Sequence, residues 1–382
     1  MAKQDAPTPG LLAAVPAPAQ LGSDRKIHIG VVGGGFGASF QWHLDPNCVV
    51  EAVSDLQPGR RAHLQRVYKC EKAYESLEKL ILDPKIDAVA VFTGAPDHAR
   101  HTVMCMNHGK HVISAVPACV TVDEAAQMKA AKEKTGLTYM MAETSYYRRE
   151  CIFARQLWTE KAFGNFLYSE VEYYHHSDKP IGSTKAVYNG KLTKHGWRWG
   201  YPPMLYPTHS TAFHVGVSGE RLTTVSCLGW GHDKPWMKEN PYNNPFANMV
   251  ALFDCSGGNI CRCNVFWWIH AGGERAQWIG ENYALYMGNV SGQPFGVRTS
   301  RKDVPTAMPN YTERLPKPMR VGSGHGGSHT YLTHEFIAAL IAEREPAVSL
   351  YESLAMTVPG IVAMDSAHKG GERLKVPSFD KA

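Results

Sequence analysis

The sequence lacks several features that would assign it to a large class of proteins. No apolar run reaches the length of about 18 residues that a membrane span needs. No CxxC pair and no HExxH segment indicates a metal site. Charged residues make up only 20% of the 382 residues, the net charge is +5, and no long Lys/Arg run is present. We therefore expect no nucleic-acid partner, no membrane partner and no metal.

The nine cysteines are scattered along the chain, and their number is odd. This usage favours reduced thiols in a cytoplasmic protein. Cys261 and Cys263 would share one face of a strand, but without a second pair we interpret them as small buried hydrophobic residues. Residues 1–24 are rich in Ala and Pro and are interpreted as a disordered tail. Export is the alternative, although Pro16 interrupts the apolar run Leu11–Val15.

The composition and pattern predict an α/β protein of two domains. A chain with 44% hydrophobic residues and this length exceeds one ordinary core. From Lys26 to Ala142 predicted strands and helices alternate, with one helix from Asp97 to His108 and another, capped by Asp123, ending near Gly136. Such alternation is typical of a doubly wound parallel sheet.

The pattern changes after residue 145, where aromatic and β-branched runs predict a large open, mainly antiparallel sheet. Two helices, near 329–343 and 351–369, follow it. The predicted division is a tail at 1–24, a dinucleotide-binding Rossmann domain at 25–145, and an α+β domain for substrate and oligomer contacts at 146–382. We expect a homodimer or homotetramer. The predicted strands are Phe166–Tyr174, Leu222–Trp230, Asn248–Phe253, Gly258–Ile269 and Arg275–Met287.

A glycine cluster follows the first predicted strand, Ile27–Val32, directly. Gly33 allows a tight turn, Gly35 lets a pyrophosphate approach the backbone, and Ala38 is the third small residue that lets helix and strand pack closely. The start of the helix would point free N–H groups at the phosphates. The pattern predicts a dinucleotide cradle that also includes Gly34, Phe36 and Gly37.

Asp55 supports the dinucleotide because it lies 20 residues after Gly35, at the end of the second apolar run. An acid there binds the adenosine ribose 2′-hydroxyl and favours NAD over NADP. The neighbouring Arg60 and Arg61 weaken that preference.

Several segments resemble the Gfo/Idh/MocA family of sugar-handling nucleotide proteins, over nearly the whole chain from Lys26. They are Ile29–Gly37, Gly109–Val112, Ser328–Phe336 and Pro359–Gly371. In one respect the chain departs from dehydrogenases of this family, which follow the Gly-Lys-His-Val strand with a Glu-Lys-Pro motif. Here Ala115-Val116-Pro117 takes its place, and Val116 cannot carry a proton.

A branch of NAD-dependent glycosidases, including α-N-acetylgalactosaminidases and sulfoquinovosidases, is similar at Pro117-Ala118, Thr121–Glu124, Met140–Glu143 and Tyr206–His209. The resemblance implies a tightly bound, recycled NAD, Glu143 beside it, and Tyr173, His175, Tyr206 and His209 as the catalytic set. The cofactor contacts expected from the motifs and the resemblance are Gly33, Gly34, Gly35, Phe36, Gly37, Asp55, Arg60, Thr93, Pro96, His98, Ala115, Pro117 and Glu143.

The oxidative scheme implied by this branch begins with transfer of hydride from C3 of the sugar to NAD. The resulting ketone acidifies C2–H, loss of that proton expels the group at C1, water adds at C1, and C3 is reduced again. His209 is the expected first base because imidazole titrates near neutral pH. Tyr206 would tune it from the same turn or bind the enolate, and Tyr173 or His175, which share a strand face, would act at C2.

The segment between residues 191 and 200 combines tryptophans with cations. Trp faces stack on sugars, and cations bind anions, so the segment favours an anionic, sulfoquinovose-type glycoside. A solvated basic loop is the alternative. The Gly322–Gly327 stretch is interpreted as a mobile loop over the pocket or a connector, and His325 and His329 make no convincing zinc site. The predicted substrate-binding residues are Lys191, Lys194, His195, Trp197, Arg198 and Trp199.

The sequence therefore predicts an NAD-dependent glycoside hydrolase acting on a small-molecule glycoside. The second hypothesis is an NAD-dependent sugar dehydrogenase or 3-dehydrogenase that uses His209 in place of the missing Lys. The third is a non-enzymatic NAD-binding regulator.

Overall fold

The structure is a computed structural model that describes residues 23–175, 186–188, 191–231, 235–288 and 293–381. Within these ranges, no helix is long and apolar enough to span a membrane.

The first sheet has six parallel strands in the order β3-β2-β1-β4-β5-β6. The order reverses between β1 and β4, which opens a crevice at the carboxyl ends of the strands. This arrangement confirms the predicted Rossmann sheet. The strands are β1 (Ile27–Val32), β2 (Cys48–Ser54), β3 (Ala73–Tyr74), β4 (Ala88–Val91), β5 (His111–Ser114) and β6 (Tyr139–Met141), and the helices between them are α1 (Pro58–Tyr68), α2 (Leu77–Leu80), α3 (His98–Asn107) and α4 (Val122–Thr135).

Helix α4 begins two positions earlier than the sequence suggested. Its N-cap is Thr121, whose hydroxyl accepts a hydrogen bond from the Glu124 amide at 3.1 Å. The Glu124 carboxylate in turn accepts from the Thr121 amide at 3.2 Å. This reciprocal capping box satisfies two amides that the helix leaves open. The prediction that Asp123 caps the helix was therefore wrong, and Asp123 lies in the first turn.

The second sheet has eight strands in the order β15-β14-β13-β7-β12-β11-β10-β16. It is mainly antiparallel, with one parallel pair between β7 and β12. A separate hairpin joins β8 and β9. The strands are β7 (Phe166–Tyr174), β8 (Ala186–Tyr188), β9 (Lys191–Thr193), β10 (Leu222–Trp230), β11 (Asn248–Cys255), β12 (Ile260–Phe266), β13 (Gly273–Gly280), β14 (Tyr283–Tyr286), β15 (Gly296–Thr299) and β16 (Leu374–Lys375).

Two of the remaining helices, α6 and α9, pack on this sheet, and α9 also contacts β6 of the first sheet. Helix α6 packs on β7, β12 and β13, and α9 packs on β10 and on α4. The two predicted C-terminal helices correspond to α8 and α9. The helices are α5 (Arg149–Thr159), α6 (Thr208–Ser218), α7 (Pro235–Lys238), α8 (Ser328–Ile341) and α9 (Leu350–His368).

Two features of this half of the chain differ from the predictions. The run Arg275–Met287 is not one strand but the turn-linked pair β13 and β14. Helix α6 was not predicted, because its sequence is buried over almost its whole length and so shows no amphipathic period. The prediction of a bare sheet face agrees with the exposed side chains of Leu228, Trp230 and Leu252.

The capping box at α4 gives a direct test of where the helix begins. Thr121→Ala should lower the free energy of unfolding by about 1 kcal/mol, since it removes a side-chain cap. Asp123→Ala should cost less, because it removes only a first-turn charge that helps the helix dipole. Urea denaturation of both variants measures the difference, and a larger loss for Asp123→Ala would contradict the Thr121 cap.

Candidate active site

A cavity of about 1150 Å³ lies where the carboxyl ends of the parallel strands face the second sheet. One end is lined by the glycine turn after β1 and by Asp55 after β2. The other end is lined by aromatic and imidazole side chains of the second half of the chain, namely Tyr173, His175, Trp197, Tyr206, His209 and His325. The elongated cavity therefore joins the predicted cofactor cradle to the predicted reaction site.

The glycine turn has the form that a dinucleotide needs, although the chain continues differently from the prediction. Gly33 has φ +103°, and a Cβ there would lie 2.2 Å from the Phe92 carbonyl oxygen. At Gly35 a Cβ would meet only the Arg60 guanidinium, at 3.9 Å, so the backbone is open to a ligand. The segment Phe36–Ser39 is a single 3-10 turn, not the start of a long helix. A contribution from a helix dipole is therefore absent from this turn.

The small residue that allows close packing behind the turn is Gly37. A Cβ at Gly37 would lie 2.9 Å from the Phe92 ring, whereas Ala38 is only partly buried. The role predicted for Ala38 therefore belongs to Gly37.

Asp55 stands at the end of β2 and holds the turn in place. One carboxylate oxygen accepts from the Gly34 amide at 2.7 Å, and the other accepts from the Gln57 amide at 2.7 Å. Asp55 and Arg60 both line the cavity. A carboxylate there can still accept from a ribose hydroxyl, because each oxygen has more than one lone pair.

The remaining predicted cofactor contacts fall into two groups. Thr93, His98 and Ala115 line the cavity, as do Gly33, Gly35 and Phe36. Five of the predicted contacts do not line the cavity: Gly34, Gly37, Pro96, Pro117 and Glu143. Pro117 instead supports a residue that does, because its carbonyl accepts a hydrogen bond from His98 Nδ1 at 2.7 Å. Together, the open backbone at Gly35, the placement of Asp55 and the cavity volume of about 1150 Å³ fit a bound dinucleotide.

His209 and Glu143 form a buried pair beside the cavity. His209 is the second residue of α6, and its Nδ1 lies 2.7 Å from Glu143 Oε1. Glu143 follows β6, is fully buried, and also accepts from the Ser145 amide at 2.8 Å. Because Nδ1 faces the carboxylate, Nε2 is the ring nitrogen left for a ligand in the cavity.

The charges around His209 favour its protonated form. Burial alone would lower the pKa of His209, but the Glu143 carboxylate outweighs burial, and the pKa is raised above its ordinary value. Glu274 lies behind this pair, where it accepts from the Ser145 hydroxyl at 2.7 Å and from Arg148 at 2.7 and 3.0 Å. Burial would raise the pKa of Glu274, but Arg148 holds it below its usual range. Two carboxylates therefore stabilise a positive charge on the His209 ring.

Two tyrosines and an arginine form the wall next to His209. Arg198 donates to the Tyr206 hydroxyl at 2.9 Å, and its guanidinium lies 4.8 Å from the Tyr206 ring centre. The Tyr173 ring packs on His209 at 4.8 Å. Burial raises the pKa of both phenols, although Arg198 acts in the opposite direction on each. At neutral pH both tyrosines are therefore hydrogen-bond donors and not bases.

The position of Tyr206 relative to helix α6 differs from the prediction. The positions of Tyr173 and His175 agree with the prediction that they share one face. Tyr206 precedes α6 and is separated from it by Pro207, so it does not share a helical turn with His209 as predicted. Their rings still meet at 5.3 Å. Tyr173 and His175 both line the cavity, with ring centres 6.1 Å apart.

His325 is a cavity residue that the sequence interpretation left as part of a loop or connector. It has φ +52° and lies directly before Gly326 and Gly327, which also have positive φ. Its Nδ1 lies 2.8 Å from His329 Nε2, and His329 Nδ1 lies 3.0 Å from the Ser39 carbonyl oxygen. Burial, with His209 and His329 nearby, lowers the pKa of His325 to about 4, which keeps the ring neutral. The signal in the sequence was a lone histidine among four glycines.

The basic segment is only partly directed at the cavity. Trp197 and Arg198 line it, and Trp197 packs over Gly94 at the end of β4. His195 stacks on Trp199, whose indole donates to the Glu239 carbonyl oxygen. Lys194 is exposed, and the side chain of Lys191 lies outside the described part of the structure. Val116 also lines the cavity, so an apolar surface stands where the related dehydrogenases carry lysine.

The glycine cradle and the strand order define a Rossmann protein that binds a dinucleotide. Residues 27–143 match the model of the Gfo/Idh/MocA oxidoreductase family, which is described as having an NAD-binding Rossmann fold. The predicted family resemblance is confirmed over these residues, and the match supports NAD as the bound dinucleotide.

Three relatives illustrate the similarity beyond the family model. Glycosyl hydrolase family 109 protein 2 of Akkermansia muciniphila is 29% identical over 50% of this chain and 41% of its own length. A glycosyl hydrolase family 109 protein of Solibacter usitatus is 23% identical over 93% of this chain and 88% of its own. Levoglucosan dehydrogenase, solved with NADH and levoglucosan, superposes with a TM-score of 0.76 at 19% identity, covering 93% of this chain and 100% of that one. The last comparison supports the two-sheet fold.

The geometry of the glycine turn predicts that one substitution weakens NAD binding and that another lowers the stability of the fold. Gly35→Ala should leave the melting temperature unchanged, since its Cβ meets open space, but weaken NAD binding at least about tenfold, or 1.4 kcal/mol. Gly33→Ala should instead lower stability, because its Cβ overlaps the Phe92 carbonyl. Calorimetry with NAD and thermal unfolding measure the two effects. Gly59→Ala, in an open position on α1, is the control, and unaltered affinity in Gly35→Ala would contradict the cradle.

The His209–Glu143 pair predicts a change in titration. In Glu143→Gln the carboxylate charge that raises the pKa of His209 is lost while burial remains, so this pKa should fall. The ascending limb of kcat/KM should move to lower pH, because His209 then becomes neutral at lower pH. NMR titration of labelled histidines checks the shift directly. Ser145→Ala keeps the carboxylate and should retain most of the elevation; equal shifts in both variants would disprove the role of Glu143.

Proposed function

We propose that the protein is an NAD-dependent glycoside hydrolase that works through transient oxidation at C3 of the sugar. The observation that carries this proposal is the composition of one cavity wall. A histidine–carboxylate base, an arginine-bound phenol and a neutral histidine meet there, and the lysine position of the related dehydrogenases holds Val116. Elimination at C1 requires a base for O3, a base for C2 and donors for an enolate, and these groups suit those three tasks.

The proposed roles follow from the protonation states. Bound NAD would supply the hydride acceptor for C3 and the hydride that restores it. His209 accepts the O3 proton through Nε2, because Glu143 occupies Nδ1 and favours the imidazolium that forms. Tyr206 donates its proton in a hydrogen bond to the developing enolate, while Arg198 supports the phenol oxygen.

The base that removes the C2 proton is assigned to an imidazole. Tyr173 was one candidate, but its raised pKa makes it a donor at neutral pH. His325 is neutral and lines the cavity, and His175 lines the same space, so these two are the proposed C2 bases. The names of the Akkermansia and Solibacter relatives, both glycosyl hydrolases of family 109, also favour hydrolysis.

An anionic substrate of the sulfoquinovose type is supported by Arg198, which lines the cavity from the basic segment. Its guanidinium binds the Tyr206 hydroxyl, and its remaining N–H groups can pair with a sulfonate or carboxylate. Lys194 is exposed two residues before the cavity-lining Gly196, where its charge would attract an anion.

A sugar dehydrogenase is the second candidate, favoured by the oxidoreductase description of the matching family. In that reaction His209 would accept the hydroxyl proton and the reduced cofactor would leave. The two functions share the oxidation step, and they differ in the fate of C1 and of the cofactor.

The deciding experiment is incubation with neutral and sulfonated nitrophenyl glycosides in D₂O, with and without added NAD. A hydrolase should release nitrophenol and free sugar, place deuterium at C2, and form no net NADH. One NADH per sugar without nitrophenol would overturn hydrolysis in favour of the dehydrogenase. No turnover of any glycoside or free sugar by NAD-loaded protein would count against both.

The charge of the substrate is tested with Lys194→Ala in the same panel. It should raise KM for the sulfonated glycoside about tenfold and leave KM for the 6-hydroxyl analogue nearly unchanged, a difference of about 1.4 kcal/mol. Lys85→Ala, which also removes an exposed charge but lies outside the cavity lining, is the matched control. Equal increases in KM for both glycosides in Lys194→Ala would contradict the proposal of an anionic substrate.

A further inference from the structure

A second group of reactive side chains lies on the covered side of the second sheet, and none of its members lines the cavity. His214 belongs to α6, Glu220 follows the end of that helix, and Cys255 is the last residue of β11. One donor atom from each, an imidazole nitrogen, a carboxylate oxygen and a sulfur, lies within 4.8 Å of the other two. The proposed reaction uses none of these three residues.

The group is buried and incompletely satisfied. The His214 side chain has no exposed surface, and its Nε2 has no hydrogen-bond partner among the described residues. Glu220 Oε2 lies 3.3 Å from that nitrogen, but the pair lacks hydrogen-bond geometry. Asn259 donates to the same carboxylate at 2.7 Å, while its own Oδ1 has no partner within the described ranges. The buried Nε2 of His214 therefore lies beside a carboxylate oxygen without a hydrogen bond of ordinary geometry.

The surroundings of His214 orient its free nitrogen. Its Nδ1 lies 2.9 Å from the Ser169 hydroxyl on β7. Donation from Nδ1–H to that oxygen puts the lone pair on Nε2, the atom that faces Glu220. Histidines that bind metals are held in this way by a partner on their other nitrogen.

The Glu220 side chain is partly exposed, and a glycine leaves the space that its carboxylate occupies. Its side chain retains 13% exposure, whereas that of His214 is fully buried. Gly257, in the turn after β11, leaves space for Glu220 Oε1; a Cβ there would lie 2.0 Å from that oxygen. Any side chain at residue 257 would push the carboxylate away from His214.

We propose that His214, Glu220 and Cys255 bind a zinc ion. Imidazole, carboxylate and thiolate are the donors that Zn²⁺ takes in tetrahedral sites, and three protein ligands leave one position for water. With Zn–N and Zn–S distances of about 2.0 and 2.3 Å, ligand atoms stand roughly 3.3 to 3.7 Å apart, which small side-chain rotations within this group achieve. The bound ion would tie the end of α6 to the β11–β12 turn.

The test uses the full chain, stripped with a chelator, loaded with Zn²⁺, desalted and measured by metal mass spectrometry. We expect one zinc per chain, and we expect Cys255→Ser and His214→Gln to retain less than about a tenth of it, as for loss of a ligand. Cys105→Ser, a buried cysteine on α3, is the matched control and should keep its zinc. Asn259→Ala should weaken affinity about 10- to 100-fold, because it removes a hydrogen bond to a ligand.

Two readouts on the wild-type chain remain valid should a ligand variant fail to fold. Co²⁺ in place of zinc should produce a thiolate-to-cobalt charge-transfer band, which reports a Co–S bond. Zn²⁺ but not Mg²⁺ should raise the melting temperature of the stripped protein, since an ion that binds only the folded state stabilises it. Absence of bound zinc, absence of the band, or equal zinc in Cys255→Ser would overturn the site and leave a histidine–glutamate ion pair. These outcomes are independent of the proposed hydrolase activity.

Discussion

The contact between Glu143 and His209 is the interaction on which the site depends. Glu143 lies just after β6, the last strand of the parallel sheet, and His209 lies in the first turn of α6, the helix that packs on the second sheet. Their 2.7 Å contact therefore joins the two layers at the point where the cavity passes between them. A fully buried carboxylate without a cation or donors would be unstable. The fold holds Glu143 there because the Ser145 amide and the His209 ring both satisfy one of its oxygens.

The titratable side chains around the cavity have pKa values that are shifted in different directions by their surroundings. His209 is made more basic by a carboxylate, whereas His325, close to it, is made less basic by burial and neighbouring imidazoles. The two phenols are kept protonated by burial. Groups of similar intrinsic chemistry thus differ in protonation at neutral pH, which is how one site provides an acceptor and several donors.

The sequence predicted the parts of the structure that depend on neighbours along the chain. The glycine turn, Asp55 and the parallel strands follow from local patterns. The family motifs singled out His209 and Tyr206, and both line the cavity. What it missed depends on distant residues. The 3-10 turn at Phe36–Ser39 follows from packing of Gly37 on Phe92, and α6 is hidden in the sequence because it is buried on all sides. His325 reaches the cavity only because three successive residues adopt positive φ. His214, Glu220 and Cys255 come from a helix, the residue after its cap and the end of a strand. Their spacing along the sequence therefore matches no metal-binding motif.

Helix α6 connects the two chemical groups of the molecule. His209 in its first turn faces the cavity, and His214, five residues later, faces the β11–β12 turn on another side of the same helix. A helix buried on all sides has no solvent-facing side on which to place polar groups, so each imidazole needs a partner from another element. Glu143 from the first sheet provides it for His209, and Ser169 from β7 provides it for His214 Nδ1. Glu143 comes from the segment that follows β6, and Ser169 comes from a strand on which α6 packs. The His209 and His214 rings are therefore each held by a partner from outside the helix, on two different sides of α6.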